Sequence, residues 1–259
     1  MGEGDEALLA VLRDLNGTLR AEWMDLRAQE IELLSNKAKR TGGRIQPRAF
    51  RWVPNDPRRV AHGSHSAGLT YLIDESEGVP SAGVTAEQAQ LALARAAGSW
   101  GAVPCLGSAP ERRPDLGGDP DLFDAVFGYG ELGVPAADVT FAGFLPSGFF
   151  DLVAPPGGDV IASAVTFIFV DRHGDPTDLD GDGYLDAAAT EIYFNDRFLW
   201  STEEVPGTMD VESVALHELG HALGIGHVEP PAEAVMNPVY AGTRRELQPL
   251  DQANLCVAR

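Results

Sequence analysis

Three histidines and one glutamate near residue 220 are spaced as metal ligands and a catalytic base would be. The run HELGHALGIGH places His217, Glu218, His221 and His227 in a fixed register. Residues four apart lie one turn apart on the same face of a helix, so His217 and His221 can direct two imidazole nitrogens at one metal ion. Glu218 lies beside that ion rather than on it, where a general base can take a proton from a water molecule.

Gly224 accounts for the return of the third histidine. A glycine at this point can adopt the left-handed conformation that ends a helix, so the chain turns and brings His227 to the same ion. Three neutral imidazoles leave the fourth position of a zinc ion open, which is the geometry of a catalytic site. HExxH alone is a weak signal, but the longer pattern arises by chance in roughly a few of 10⁵ cases. The alternative, three histidines in an ordinary core, would use half of the six histidines in the chain.

The helix that carries the motif is predicted over residues 211–223, and other elements are predicted around it. Apolar patterns predict strands at 69–73, 139–145, 160–170 and 191–195, a helix at 85–100 with Thr85 as its N-cap, and a final helix at 249–257. A stretch rich in glycine, proline and aspartate at 107–120 predicts a loop. This mixture predicts an α/β layered fold.

The N-terminal quarter differs in composition from the rest. Leucines at three- and four-residue spacing predict one helix over residues 5–36, and residues 36–60 then carry eight basic side chains against one acidic. We therefore expect residues 1–66 to form an N-terminal helix and basic linker that could serve as a pro-region, and residues 67–259 to form the domain proper. Lys39-Arg40 and Arg58-Arg59 are candidate processing sites. The alternative is a basic arm lying on an acidic domain.

Charge and composition exclude several classes of partner. The 259 residues carry 19 basic and 39 acidic side chains, a net charge of −20, which argues against nucleic acid and anionic membranes. No run of 18 apolar residues predicts a membrane-spanning helix, and the first 20 residues do not read as a signal peptide. Cys105 and Cys256 are too far apart for a CxxC metal site. The pair alone leaves open one long-loop disulfide or two buried thiols.

The motif and the segment AVMNPVY at 234–240 together resemble the metzincin clan of zinc metalloproteases. Within that clan the chain is most similar to the matrixins, the matrix-metalloproteinase family, and especially to bacterial members. Met236 lies nine residues after His227, and Pro238 and Tyr240 match the segment that lines the specificity pocket of the family. The resemblance covers about residues 67–259 and implies a metzincin α+β domain, in which a twisted mixed sheet lies over the active-site helix and a C-terminal helix follows.

The same resemblance implies a secreted zinc endopeptidase that acts on protein or peptide substrates. We expect a monomer; the alternative is that the N-terminal helix pairs with itself. One catalytic zinc would polarise the peptide carbonyl, and Glu218 would pass a proton from water to the leaving amine. Substrate would bind extended along an edge strand, with an apolar residue preferred just after the scissile bond. Met236 would form an apolar floor below the zinc, and Cys105 would pair with Cys256. The alternatives are a non-catalytic calcium-dependent binding module and a zinc hydrolase for other substrates.

A candidate calcium loop precedes the last predicted strand. The sequence DLDGDGYLD offers oxygen donors at positions 1, 3, 5 and 9, a backbone carbonyl at position 7 and a glycine at position 6, as in the first part of an EF-hand loop. The donor residues are Asp178, Asp180, Asp182, Tyr184 and Asp186. Position 12 is Ala189, so the set is short unless Asp175 or Glu191 completes it. Four close carboxylates repel one another without a cation, so we expect calcium here; the alternative is a solvated acidic turn.

Two features depart from the animal matrixins. His173 and Asp175 resemble the start of their structural zinc site, but Tyr193 stands where the family often has a histidine, so we expect no second zinc. No cysteine precedes Cys105, so latency through a pro-segment cysteine is not expected. Asp56 is a candidate for masking the zinc instead. Alternatively, residues 1–66 form an interaction helix with no inhibitory role.

Overall fold

The computed structural model describes residues 3–22, 24–35, 50–60, 68–77, 80, 82–153, 159–228 and 233–258. We number the strands and helices in chain order. They are α1 (Glu3–Ala21), β1 (Leu26–Ser35), β2 (Phe50–Arg51), β3 (Thr70–Ile73), α2 (Ala86–Gly101), β4 (Glu111–Arg112), α3 (Phe123–Val126), β5 (Val139–Leu145), α4 (Ser147–Val153), β6 (Val160–Phe169), β7 (Leu185–Asn195), β8 (Trp200–Ser201), β9 (Met209–Asp210), α5 (Val211–Ala222) and α6 (Pro249–Ala258). A 3₁₀ turn spans Pro104–Leu106.

Within the described residues, seven strands form a mixed sheet in the order β1-β6-β7-β5-β3-β4, with β2 pairing with β7. β1 and β7 both run antiparallel to β6, whereas β7, β5, β3 and β4 are parallel neighbours. β6 and β7 are almost wholly buried, as expected of apolar strands covered on both faces. The predicted α/β class, with a mixed sheet, an active-site helix and a C-terminal helix, is confirmed.

Helices cover both faces of the sheet and create two apolar cores. On one face α2 and α5 pack against the sheet through residues such as Trp100, Leu216 and Ile192. On the other face α1 packs over Phe123, Phe149 and Tyr193 through three of its own buried side chains, Val11, Leu15 and Leu19. The second core therefore depends on the N-terminal helix. None of the helices among the described residues is long and apolar enough to span a membrane.

The prediction of one helix over residues 5–36 is wrong in its second half. Helix α1 ends at Ala21, and residues 26–35 form β1, hydrogen-bonded to β6 over its full length. Pairing with an otherwise open edge strand outweighs the helical preference of this alanine-, glutamate- and leucine-containing segment. Part of the predicted N-terminal extension thus belongs to the same sheet as the predicted domain. The functional boundary at residue 66 stays a prediction.

Several other elements lie close to their predicted positions. α2 begins with a capping box, in which the Thr85 hydroxyl accepts from the Gln88 amide and the Gln88 side chain accepts from the Thr85 amide. β5 and β6 have the predicted bounds within one residue. β7 is longer than predicted, because it begins at Leu185, directly after the acidic loop.

Candidate metal centre and cleft

Helix α5 carries two of the three histidines and is buried along its whole length. It begins at Asp210, whose carboxylate accepts a hydrogen bond from the Ser213 amide at 2.9 Å. Arg245 lies 2.6 Å from the other Asp210 oxygen, and this contact raises the pKa of the guanidinium. The first turn of the helix is therefore fixed by both a cap and an ion pair.

Two tryptophans hold the carbonyl groups of α5. The indole of Trp100, from α2, donates to the Leu216 carbonyl at 2.8 Å, and the indole of Trp52 donates to the Ala222 carbonyl at 2.7 Å. The carbonyl of Ala222 is among those at a helix end that lack a partner within the helix. These bonds fix the helix along its axis, so the histidine side chains start from a rigid backbone.

The imidazoles of His217, His221 and His227 converge on one point. Their Nε2 atoms lie 3.1 Å (His217–His221), 3.2 Å (His217–His227) and 3.1 Å (His221–His227) apart. Gly224 has φ +86°, the left-handed conformation that lets the chain leave α5 and return with the third histidine. The structure thus brings together the three side chains that the motif singles out.

The donor set of these rings fits a zinc ion. Nδ1 of His217 lies 2.8 Å from the Val235 carbonyl, and Nδ1 of His221 lies 2.8 Å from the Ile225 carbonyl. A carbonyl can only accept, so each Nδ1 carries the ring proton and each Nε2 presents a lone pair. Facing lone pairs cannot hydrogen-bond to one another and require a cation. Tetrahedral nitrogen ligands of zinc lie roughly 3.3 Å apart, close to the spacing found here.

Glu218 lies on α5 next to His217 and is fully buried. A carboxylate so placed is shielded from bulk water and held by a rigid helix beside the imidazoles. This is where a base that serves a metal site has to be.

The methionine turn packs directly on the active-site helix. Met236 is fully buried, and a Cβ built on Gly220 would overlap its sulfur and lie 3.0 Å from Trp100, so a larger residue at that position of α5 would have to displace the methionine. The Met236 carbonyl accepts a hydrogen bond from the Val228 amide at 2.9 Å, which ties the turn to the residue after the third histidine. The turn also supplies the Val235 carbonyl that orients His217.

Asp251, in the first turn of α6, is a site residue that the sequence analysis missed. Its fully buried carboxylate accepts hydrogen bonds from the amides of Val235 at 3.0 Å, Met236 at 3.2 Å and Gln248 at 2.9 Å. It therefore anchors the turn that orients His217. The available signal was one acidic residue in the first turn of a predicted helix, which is too common to single out.

A small apolar pocket opens beside His217. Pro238, Val239 and Tyr240 follow the methionine turn, and the Tyr240 hydroxyl accepts from the Asp210 amide at 3.0 Å, which ties the pocket wall to the start of α5. Burial raises the pKa of the Tyr240 hydroxyl. The remaining cavity is ≈ 20 Å³, and its lining is Leu34, Ser213, His217, Val235, Asn237, Val239, Tyr240, Ala241, Gly242 and Arg244.

The presence of Leu34 in that lining was not predicted. It is 2% exposed and comes from β1, the strand of the N-terminal segment. The end of β1 lies between β6 and the pocket wall: the Ser35 amide donates to the Pro238 carbonyl at 3.2 Å, and the Tyr240 amide donates to the Ser35 carbonyl at 3.0 Å. A carboxylate oxygen of Glu32 lies 3.4 Å from Nδ1 of His227.

The acidic loop is partly neutralised by arginines. Asp178, Asp180 and Asp186 place carboxylate oxygens within 4.8 Å of one another. However, Arg58 contacts Asp186 at 2.5 Å, and Arg51 lies 3.4 Å from Asp182. Although burial raises the pKa of Asp186, hydrogen bonds from Thr177 and Arg58 hold it below its ordinary value. The electrostatic repulsion among the carboxylates is thus smaller than the sequence suggested. Asp182 also accepts a hydrogen bond from the backbone amide of Tyr184.

The other candidate residues lie apart from the imidazoles. Asp56 is buried and pairs with Arg58 at 2.6 Å. It therefore does not mask the metal site, contrary to the sequence prediction. His173 lies in an exposed turn and accepts from the Arg172 guanidinium. Cys105 and Cys256 form a disulfide that links the 3₁₀ turn to α6. Lys39 and Arg40 fall outside the described residues.

A buried HExxH helix, a third histidine brought back by a glycine turn and a methionine turn below them define the metzincin class of metallopeptidase folds. A family model for matrixins matches residues 161–256, which hold nearly all of β6, the acidic loop, β7 and the candidate metal centre. This region of the chain is therefore matrixin-like, as the sequence predicted.

Named relatives agree with this assignment. Stromelysin-1 of Mus musculus is 43% identical over 79 residues, which cover 27% of this chain and 16% of the relative. Stromelysin-1 of Rattus norvegicus is 42% identical over 79 residues with the same shares. Matrix metalloproteinase-25 of Homo sapiens is 41% identical over 54 residues, 20% of this chain and 9% of the relative. The similarity thus spans less than a fifth of each of these relatives.

Proposed function

We propose that this chain is a zinc-dependent endopeptidase that hydrolyses peptide bonds in proteins. The observation that carries the proposal is the convergence of three Nε2 atoms within 3.2 Å, with a buried glutamate on the same helix. His217, His221 and His227 would hold the ion. When bound, zinc supplies the Lewis acidity that polarises a substrate carbonyl and acidifies a water molecule.

The residues of the chain divide the remaining work. A carboxylate oxygen of Glu218 accepts the proton of the attacking water and delivers it to the leaving amine. The Val235 and Ile225 carbonyls keep the protons of His217 and His221 on Nδ1, so that both rings bind through Nε2. Tyr240 and its neighbours form the pocket for an apolar side chain just after the scissile bond.

Location, stoichiometry and calcium complete the proposal. We propose a secreted monomer that takes protein or peptide substrates, because the resemblance is to exported proteases and a disulfide suits an oxidising compartment. Calcium in the loop with Asp178, Asp180 and Asp182 stays a prediction. Asp186 and Tyr184 belong to the same predicted set.

The test compares the purified chain with Glu218→Gln, which keeps the size of the side chain but removes the base. Both proteins are loaded with zinc, metal content is measured, and casein fragments are quantified by mass spectrometry. We expect equal zinc content and a loss of cleavage of about 10²–10⁴-fold in the variant. Equal cleavage by both proteins would refute Glu218 as the base. Bound zinc with no cleavage by the wild type, or by Leu34→Arg, which puts a charge into the pocket that the β1 residue Leu34 lines, would favour the non-catalytic binding module.

A further inference from the structure

β1 occupies the groove in which an extended substrate would have to lie. The groove is bordered on one side by β6 and on the other by residues 238–240. The strand pairs antiparallel with β6, and Ser35 forms a parallel bridge with Val239. A peptide bound in an extended form would use the same backbone groups. While β1 is in place, these groups are taken.

The side chains of β1 alternate between the two faces of the sheet, as in any strand. Ile31 and Leu33 pack into the core under α1, on the face away from the metal centre. Glu32 and Leu34 point the other way, Glu32 to His227 and Leu34 into the pocket beside His217. The chain from residue 32 to residue 34 therefore crosses in front of the imidazoles.

We propose that Leu26–Ser35 is a built-in, substrate-like inhibitor of the cleft, with Leu34 in the pocket that takes the residue after the scissile bond. This inference rests on the proposed function and adds its regulation. It also assigns a sequence preference: leucine after the scissile bond and an acidic residue two positions before it. The peptide bond presented to the metal centre is Leu33–Leu34.

A binding experiment tests the occupancy without hydrolysis. All proteins carry Glu218→Ala and are saturated with zinc, and the probe is a fluorescent peptide with the sequence of residues 26–35. Leu34→Arg puts a charge into the pocket, and Ser35→Pro removes the amide that donates to Pro238. Leu9→Arg is the matched control, because Leu9 is 53% exposed on α1.

We expect saturable binding of the peptide by Leu34→Arg and Ser35→Pro, at least tenfold tighter than by Leu9→Arg or the parent. A peptide with arginine in place of its leucine at position 34 should not bind. Equal binding by all four proteins would overturn the proposal. In proteins that retain Glu218, Leu34→Arg should cleave casein at least tenfold faster than Leu9→Arg. Peptide binding without any cleavage would instead count against the proposed function.

A second inference concerns an acidic cluster between the end of β3 and the loop before β5. The cluster comprises Asp74, Glu77, Asp119, Asp121, Asp124 and Glu191. Asp74, Asp119 and Asp121 place carboxylate oxygens within 4.8 Å of one another. A Cβ built on Gly130 would lie 2.5 Å from one oxygen of Asp119 and from one of Asp124, so these two oxygens flank the same point.

Buried carboxylate oxygens without partners separate this cluster from a solvated acidic surface, although Asp74, Asp119 and Glu191 accept hydrogen bonds from nearby residues. Asp124 is fully buried, yet neither of its carboxylate oxygens has a hydrogen-bond partner among the described residues, and the same holds for one oxygen of Asp121. No described arginine forms an ion pair with any of the six carboxylates. The Tyr193 hydroxyl lies 2.8 Å from Glu191 and 3.1 Å from Asp121 and offers only one proton.

Burial and the neighbouring carboxylates raise the pKa of Glu77 to about 7 and that of Asp121 to about 12. Without a cation, this part of the molecule has to hold protons at neutral pH. A buried carboxylate with no partner is costly, so the cluster calls for a positive charge at its centre.

We infer that the acidic cluster binds a calcium ion, and that this ion joins the segment 115–131 to the sheet. An all-oxygen donor set of several carboxylates is the kind that calcium takes, with six to eight ligands. The site is separate from the zinc centre and from the loop at 178–186. Glu191, which could have completed that loop, instead accepts hydrogen bonds from the amides of Leu122 and Phe123 beside the acidic cluster. Tyr193, which stands where related proteins often have a zinc-binding histidine, lies under it.

Thermal unfolding of the zinc-saturated, calcium-depleted chain tests this inference. Calcium added at millimolar concentration should raise the midpoint by several degrees, and magnesium should raise it much less. Asp124→Asn should lose the calcium effect, while Asp151→Asn, exposed on α4, should keep it. Loss of the effect in Asp180→Asn with its retention in Asp124→Asn would assign calcium to the other loop and overturn the inference. No calcium effect in the wild type would overturn it as well.

Discussion

At the scale of single residues, the metal centre depends on atoms that the histidine motif does not contain. Asp251 accepts three backbone hydrogen bonds and holds the turn whose carbonyl orients His217. In Asp251→Asn, an NH₂ group replaces one of the two carboxylate oxygens. It then faces backbone N–H groups, which are also donors. We expect zinc affinity to fall about 10–100-fold, as for other groups that orient a metal ligand. Competition with a chromophoric chelator measures this.

Asp151→Asn is the control for Asp251→Asn, because it removes the same charge at an exposed position of α4. It should bind zinc as the wild type does. Unchanged zinc affinity in Asp251→Asn, with the fold retained by circular dichroism, would show that the turn holds its place without the aspartate.

At the scale of elements, α2 and α5, the two helices that pack on the same face of the sheet, begin with different kinds of cap. Asp210 caps α5 and also pairs with Arg245, whereas Thr85 caps α2 at an exposed position. Replacing Thr85 with alanine should lower the free energy of unfolding by about 1 kcal/mol. Asp210→Ala should cost more, about 2 kcal/mol or above, because it also removes the carboxylate closest to Arg245, which keeps only Glu212 at 3.8 Å and the Thr202 carbonyl.

Only the Asp210 variant should affect the metal centre. α5 carries His217 and His221, so fraying of its first turn should weaken zinc binding severalfold, while α2 carries none of the three histidines. Urea unfolding gives the stabilities, and chelator competition gives the affinities. The same loss of zinc affinity in Thr85→Ala would mean that the effect is global rather than local to α5.

At the scale of the whole molecule, a buried ion pair joins the segment after β2 to the sheet. The Arg59 guanidinium lies 3.0 Å from Asp138 and donates to the carbonyls of Val53 and Gly68. Thr70, at the start of β3, donates to the same carboxylate through its amide and hydroxyl. Arg59 is only 5% exposed, so Arg58-Arg59 is a poor processing site, contrary to the sequence prediction.

Limited trypsin digestion of the native chain checks this point. The bond after Arg59 should stay intact, while the bond after Arg172, in the exposed turn with His173, should be cut. Cleavage after Arg59 at a rate similar to that after Arg172 would show that the segment opens readily despite its buried pair.

The convergence of the three histidines could be predicted from the sequence because its signals are local. His217, Glu218 and His221 share one helix. The turn at Gly224 brings back His227, which is only six residues after His221. The acidic cluster could not be found in this way, since Asp74 and Asp119 lie 45 positions apart with no fixed spacing between them. β1 was missed for another reason: its apolar residues also fit a helix, and only pairing with β6 decides between the two.

Helix α1 and β1 have a consequence for how this molecule can be switched on. Excision of both would bare Phe123 and Phe149 and leave β6 as an open edge. Open edges next to apolar surface invite pairing between molecules, and thus aggregation. If β1 inhibits the cleft as proposed, an activator that cuts the segment away would therefore leave a molecule that aggregates. One that lifts the end of β1 while α1 stays docked would keep the second core covered and would let the strand close again, so that activation would be reversible.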